Sequence, residues 1–238
     1  MSLALPWTNI GLVQVLTQLL RVVRDELDAT PPENSRTIKK LERWLGQIEY
    51  IMRQIRRIRD KLFPRLRATL GIQSQGEELL LVAMFQPSTK NLFLEIRSHF
   101  CNGPDPPLDC DTLGRLVSLS EMAKVLALIG DAAISLAVLH HLWEPYVSQV
   151  GGLTQMRAWS VSNEHLAALC DTWHLYEHRI HFDPPAESKS EIEHHKGTLV
   201  EAVYGVVYVM RGIDGVIESA SPLMAGLDIA HARKTGER

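Results

Sequence analysis

Two apolar runs, Leu126-Ala-Leu-Ile-Gly-Asp-Ala-Ala-Ile-Ser135 and Thr198-Leu-Val-Glu-Ala-Val-Tyr-Gly205, constrain this chain more than any other feature. Their composition is that of packed helices. Each nevertheless carries one carboxylate, Asp131 or Glu201, among Leu, Ile, Val and Ala. A charge is rarely buried unless it is paired or holds a metal. Two such carboxylates on two packed helices therefore predict a hard-cation site, because Mg²⁺ takes carboxylate oxygens and keeps several waters. Gly130 and Gly205 fall inside the same runs. Glycine costs a helix interior about 1 kcal/mol relative to alanine, so a close helix–helix or backbone–metal approach is expected at both.

The rest of the chain reads as helical. Ile10, Val13, Val15, Leu16, Leu19, Leu20, Val23 and Leu27 recur at helical spacing over residues 7–29, with Thr8 or Asn9 placed to cap the start and Pro31-Pro32 to end it. Ser35 opens a second helix, apolar on one side from Ile38 to Leu62 and arginine-rich on the other, which Pro64 kinks or ends. A short turn between two such helices predicts an antiparallel hairpin. Gly71 to Gly76 reads as a linker. Further helices are expected over Glu77–Phe85, Leu92–Phe100 and roughly 112–143, 152–158, 162–177 and 192–219. Polar loops lie at 102–107 and 183–190. Strand-like alternation is nearly absent, so the fold class is all-α.

Net charge is −3, but its distribution is uneven. Arg36 to Arg67 holds eleven Lys/Arg (36, 39, 40, 43, 53, 56, 57, 59, 61, 65, 67) against three acids (42, 49, 60), a local +8 that leaves −11 for the remainder. A basic segment on an acidic chain is a nucleic-acid signal. Arg53, Arg56, Arg57 and Arg59 are its densest part and the candidate RNA contacts; the competing expectation is a solvated outer face. Cys101, Cys110 and Cys170 are too few and too scattered for a disulfide framework or a zinc site. Cys101 and Cys110 could pair, although free thiols are expected. The first residues lack the basic segment and continuous apolar stretch of a secretory signal, and the apolar runs are far shorter than a membrane span. A cytoplasmic protein without membrane contact is expected.

The two acidic runs also carry a family resemblance. Gly130-Asp131-Ala132 resembles the signature helix of ribonuclease III, and Glu201-Ala-x-x-Gly205-x-x-Tyr208 resembles that family's second acidic helix. Between them, Gly151-Gly-Leu-Thr-Gln-Met-Arg through Val161-Ser-Asn-Glu-His-Leu-Ala167 is similar to the family's middle segment. The likeness covers about 76 to 220. It does not cover the first 75 residues, so the chain divides into the N-terminal helical hairpin read from its periodicity (1–75), a ribonuclease III-like domain (76–220) and a C-terminal tail (221–238). The likeness implies a Mg²⁺- or Mn²⁺-dependent endonuclease that cuts structured or double-stranded RNA to 5′-phosphate and 3′-hydroxyl ends. The family works as a two-fold homodimer, with Leu128 at the position whose side chain enters a pocket on the partner. Asp131 and Glu201 would share the metal, and Thr198 would orient a metal-bound water. The plain alternatives are that Thr198 only bonds back to its own helix and that Leu128 is an ordinary core leucine.

The chain departs from larger family members at two positions. They place acids where Ala127 and Thr198 stand here. The compact Mini-III branch resembles this chain there, reading Ala-x-x-Gly-Asp-Ala and Thr-x-x-Glu-Ala, and His140-His-Leu142 is also similar to that branch. Two other functions stay open. One is a catalytically inactive fold kept as an RNA-binding or dimeric scaffold. The other is a zinc hydrolase using His174-Leu-Tyr-Glu177-His178, which matches H-x-x-E-H. That pattern is short, and no helix supplies a third ligand.

Overall fold

The computed structural model describes residues 5–103, 106–146, 149–184 and 188–225. The opening residues, the middles of both polar loops, residues 147–148 and the tail beyond 225 lie outside the described residues.

Eleven α-helices are found among the described residues, with one isolated bridge, Phe85 to Ile180, and no strand. The hairpin forms as its periodicity predicts. Helix α1 (Leu12–Ala29) buries Leu12, Leu16, Leu19 and Val23 against Leu41, Trp44, Ile48 and Ile51 of α2 (Ser35–Arg57). Each such side chain contributes roughly 1.5–3 kcal/mol of burial. Thr8 and Asn9 do not cap α1. The turn before it is left-handed at Gly11, and the Glu78 carboxylate accepts the Ile10 and Leu12 N–H groups at 2.6 and 2.9 Å.

Pro64 does not end the second helix. A π-helical turn, Ile58–Leu62, intervenes, and α3 (Phe63–Leu70) continues with Pro64 in its first turn. Proline lacks an N–H and crowds the carbonyl four residues back, and a widened turn relieves both problems. Helix α4 (Glu77–Ala83) follows. The hairpin's buried residues and those of the later helices belong to one continuous core. Trp44 Nε1 donates to Glu95 at 3.0 Å, joining α2 to α5 (Thr89–Phe100), and Arg43 pairs with the same carboxylate.

The long helix expected over 112–143 is two helices. The chain turns at Ser118 between α6 (Cys110–Val117) and α7 (Leu119–Leu142). Asp109 accounts for the start of α6. Its carboxylate accepts from the Thr112 hydroxyl and backbone at 2.8 and 2.9 Å, which holds its pKa below the usual carboxylate range. Cys101 and Cys110 are joined in a disulfide, contrary to the expected free thiols. Helix-end geometry brings the two cysteines together, which nine residues of sequence separation do not reveal. Cys170 is free and buried, and burial pushes its thiol up to about 12.

Helices α8 (Val150–Ser160) and α9 (Asn163–Trp173) lead to α10 (Lys189–Glu218), followed by the short α11 (Ser221–Met224). The axis of the fold is α7 beside α10. Taken over its whole length, α7 is long and apolar enough to cross a membrane, by length and composition only. The apolar runs within it looked too short because Gly130-Asp131 divides them. In the fold, one face of α7 packs on α10 and the other faces outward.

Candidate active site

The contact between α7 and α10 is made by backbone. A Cβ on Gly130 would lie 1.8 Å from the Glu201 carbonyl oxygen, and one on Gly205 would lie 2.0 Å from that of Leu126. The expected close approach is therefore present, and it is helix on helix. Gly130 meets Glu201 and Gly205, and His141 bonds to the Ile217 carbonyl at 2.8 Å. Gly212, with φ 66° and ψ −168°, breaks α10 near its end. Beyond the break, the buried Tyr204 hydroxyl donates to Ser219 O at 2.9 Å.

This contact sets Asp131 and Glu201 side by side. The Glu201 pKa is raised to about 7, first by burial and then by the Asp131 charge. The two carboxylates differ in setting, however. Glu201 is half-buried, whereas Asp131 is exposed, contrary to the expectation that apolar neighbours in sequence bury it. On α7 those neighbours divide between two faces, and Asp131 falls on the outer one. Thr198 lies one turn before Glu201. Its hydroxyl donates to His194 O of its own helix at 3.1 Å, which is the plain alternative for this residue. Ala127 is buried.

Among the described residues, no three His, Cys, Asp or Glu side chains converge as a metal cage. The Asp131–Glu201 pair fits a cation held largely by water, because Mg²⁺ commonly binds through one or two carboxylates and keeps the rest of its hydration shell. The inverted zinc-protease pattern does not assemble. His174 is left-handed at the end of α9 (φ 59°) and His178 lies in a 3₁₀ turn, so the two do not share one α-helical face.

Leu128 is 72% exposed, so it is not a core leucine. Val125, Leu136 and Trp143 are also exposed and continue the same outer face. The four candidate RNA-binding arginines lie on the outer side of the hairpin, yet most have partners. Arg59 pairs with Glu77, Arg57 donates to Gln54 at 3.3 Å, and Arg56 reaches Met52 O at 3.4 Å.

Sequence reasoning missed a cavity of about 740 Å³ beside Thr198, between the first halves of α7 and α10. The segment Arg179–Asp183 closes it. Ile180 bonds to Met84 O and Gln86 N at 2.9 Å, and Ser88 binds both Phe182 N and Asp183 at 2.9 Å. The only signal available in the chain was the Arg179-Ile-His181 alternation after the histidine pattern.

Residues 124–212 match the family model of the ribonuclease III domain. This segment is a ribonuclease III domain. The match begins at Lys124, one turn before Ala127, and ends at the Gly212 break, so it spans the Gly130–Gly205 crossing and both carboxylates. No curated protein and no solved structure gives a significant match to the chain. The ribonuclease III domain is therefore all-α here, as expected, and it carries an N-terminal helical extension.

Proposed function

We propose that this protein is a divalent-cation-dependent endoribonuclease that cuts structured or double-stranded RNA as a homodimer, with Asp131 and Glu201 as its metal ligands. One observation carries the proposal. A half-buried carboxylate faces a second carboxylate, and the pair has no cationic side chain bonded to it among the described residues. Such an arrangement is unfavourable without a cation, and the domain's family acts on RNA. Bound Mg²⁺ or Mn²⁺ would lower the pKa of a water and stabilise charge developing on the phosphate. The chain's own share is positional. The Gly130–Gly205 contact fixes the carboxylates, and Asp131 stays open to solvent and to a strand. Thr198 takes its proposed water-orienting role only if its hydroxyl leaves His194 O. With Ala127 and Thr198 in place of acids, the site resembles the Mini-III arrangement.

The dimer reading rests on the outer face of α7. Val125, Leu128, Leu136 and Trp143 fall on helical spacing and form an exposed apolar strip suited to an isologous contact. The basic face of the hairpin, with Arg53, Arg56, Arg57 and Arg59, is proposed as a phosphate-contacting surface.

The test is incubation of duplex RNA with the protein in Mg²⁺ or Mn²⁺, comparing wild type with Asp131→Asn. Cation-dependent cleavage that disappears in the variant is expected. Duplex binding without cleavage by either protein favours the inactive scaffold instead, for which buried Ala127 and the back-bonded Thr198 hydroxyl speak.

A further inference from the structure

We infer that the surface groove where the first half of α2 meets α5 holds the sugar–phosphate backbone of one RNA strand, without regard to sequence. This rests on the RNA reading above and adds a contact on another side of the hairpin from the arginines at 53–59. Arg36, Lys39, Lys40 and Arg43 stand at i, i+3, i+4 and i+7, so they share one face of α2. With Thr37 they line a hollow of about 580 Å³. Through Lys40 it adjoins a second hollow of about 480 Å³, walled by Trp44 on α2 and by Glu95, Ser98 and His99 on α5. Among the described residues, Glu95 is the one carboxylate in either lining, against four cations.

These cations work against the helix that carries them. Like charges three and four residues apart on a helix repel. Arg36 sits in the first turn of α2, which holds no acid, and the preceding Asn34 makes no side-chain cap. The partial positive charge of a helix N-terminus disfavours a cation there and attracts an anion. Two of the four are held in place by neighbours. Lys40 Nζ lies 3.2 Å from His99 Nδ1 and 4.9 Å from the centre of the Trp44 ring, and Arg43 pairs with Glu95. Arg36 and Lys39 are exposed and have no side-chain partner among the described residues. A polyanion lying along the groove relieves the repulsion, complements the helix end and pairs the two open cations.

The length of the strip selects a chain of phosphates over one small anion. From Arg36 to Arg43 the helix rises about 10 Å at roughly 1.5 Å per residue. A nucleic-acid strand carries one phosphate about every 3.4 Å of its axis, so about three consecutive phosphates match the strip. Guanidinium and ammonium groups on phosphate oxygens position a strand and read no bases. By helical geometry the strip lies about 25 Å along α2 from the middle of the arginines at 53–59 and roughly a third of a turn around it. The two are therefore separate contacts.

The full chain is titrated in metal-free buffer, over a range of salt, with two RNA duplexes of unrelated sequence and with vesicles of mixed phosphatidylcholine and phosphatidylserine. Wild type is compared with Arg36→Gln/Lys39→Gln and with Arg21→Gln/Arg24→Gln, which removes the same charge from α1. The α2 variant should flatten the log–log salt dependence by about 1.4–1.8 for both duplexes, equivalent to roughly 25- to 60-fold weaker binding at 0.1 M salt. The α1 variant should keep the wild-type slope. An unchanged slope in the α2 variant overturns the inference. Equal flattening in the α1 variant also overturns it, because net charge alone would then be at work. So does loss of vesicle binding with RNA binding intact, which would mark a membrane-facing surface. An α2 variant that melts lower than wild type by circular dichroism yet keeps the slope marks the pair as structural and overturns it too. Binding of neither duplex by wild type overturns it together with the RNA reading. The expected flattening without wild-type cleavage when Mg²⁺ is added overturns the nuclease reading alone.

Discussion

Replacing Glu201 with glutamine should stabilise the protein at neutral and alkaline pH. The folded-state pKa of Glu201 stands at about 7 against 4.5 for the free group. At about 1.4 kcal/mol per pH unit this is roughly 3 kcal/mol, and because Glu201 is only half-buried, solvent screening reduces it to about 1–2 kcal/mol. The sign follows from proton linkage. The raised pKa means the folded state binds more protons than the unfolded one between pH 4.5 and 7, so this contribution is fully present below 4.5 and is lost as pH rises through 7. Glutamine has the same shape and no charge, so it removes the penalty. Urea unfolding at a series of pH values from about 5 to 8.5 should show Glu201→Gln gaining on wild type as pH rises, with about 1–2 kcal/mol separating them by about pH 8. Millimolar Mg²⁺ should then raise the wild-type midpoint and leave the variant unmoved, because only the wild type offers both carboxylates. A variant less stable than wild type on the alkaline side, or a difference independent of pH, would refute the argument.

Three other perturbations test separate parts of the structure. Gly205→Ala drives a methyl against Leu126 O and should cost at least about 1–3 kcal/mol from overpacking, more than the roughly 1 kcal/mol of helix propensity it gains; a thermal melt at or above wild type would contradict this. Leu128→Asp should yield a folded monomer by light scattering at micromolar concentration, and a folded variant that stays dimeric would move the interface off α7. Removing Arg53, Arg56, Arg57 and Arg59 together should weaken binding to duplexes of any sequence and flatten the log–log salt dependence by about 0.7–0.9 for every phosphate no longer neutralised. An unchanged slope would demote the basic face to a solvated cover.

The parts of the site that depend on local pattern were legible in the chain. Apolar spacing along Leu12–Val23 and Leu41–Ile55 gives the hairpin, and glycines at 130 and 205 signal the contact that positions the carboxylates. What depends on three-dimensional direction was not legible. Apolar neighbours surround Asp131 in sequence, but the helix turns them to two faces and leaves the carboxylate in water. Glu78, sixty-six residues from Leu12, replaces the local cap that Thr8 or Asn9 would supply. The Cys101–Cys110 bond depends on how α5 ends and α6 begins. The cavity is assembled from separate stretches of chain, each ordinary as sequence.

The Glu78 carboxylate has a mechanical implication. It lies on the first helix after the hairpin and its extension, and it grips the backbone at the hairpin's very beginning. The segment from Ile10 to Glu78 therefore forms a closed circuit, pinned where it starts and where it returns. A chain tied in this way is a rigid bracket rather than a swinging arm, and the helix N-terminus strengthens the tie because its partial positive charge favours the carboxylate. Any strand lying on the basic face would meet a surface whose orientation to the carboxylate pair is already set, so the distance from the arginines to the carboxylates would work as a fixed ruler along the RNA.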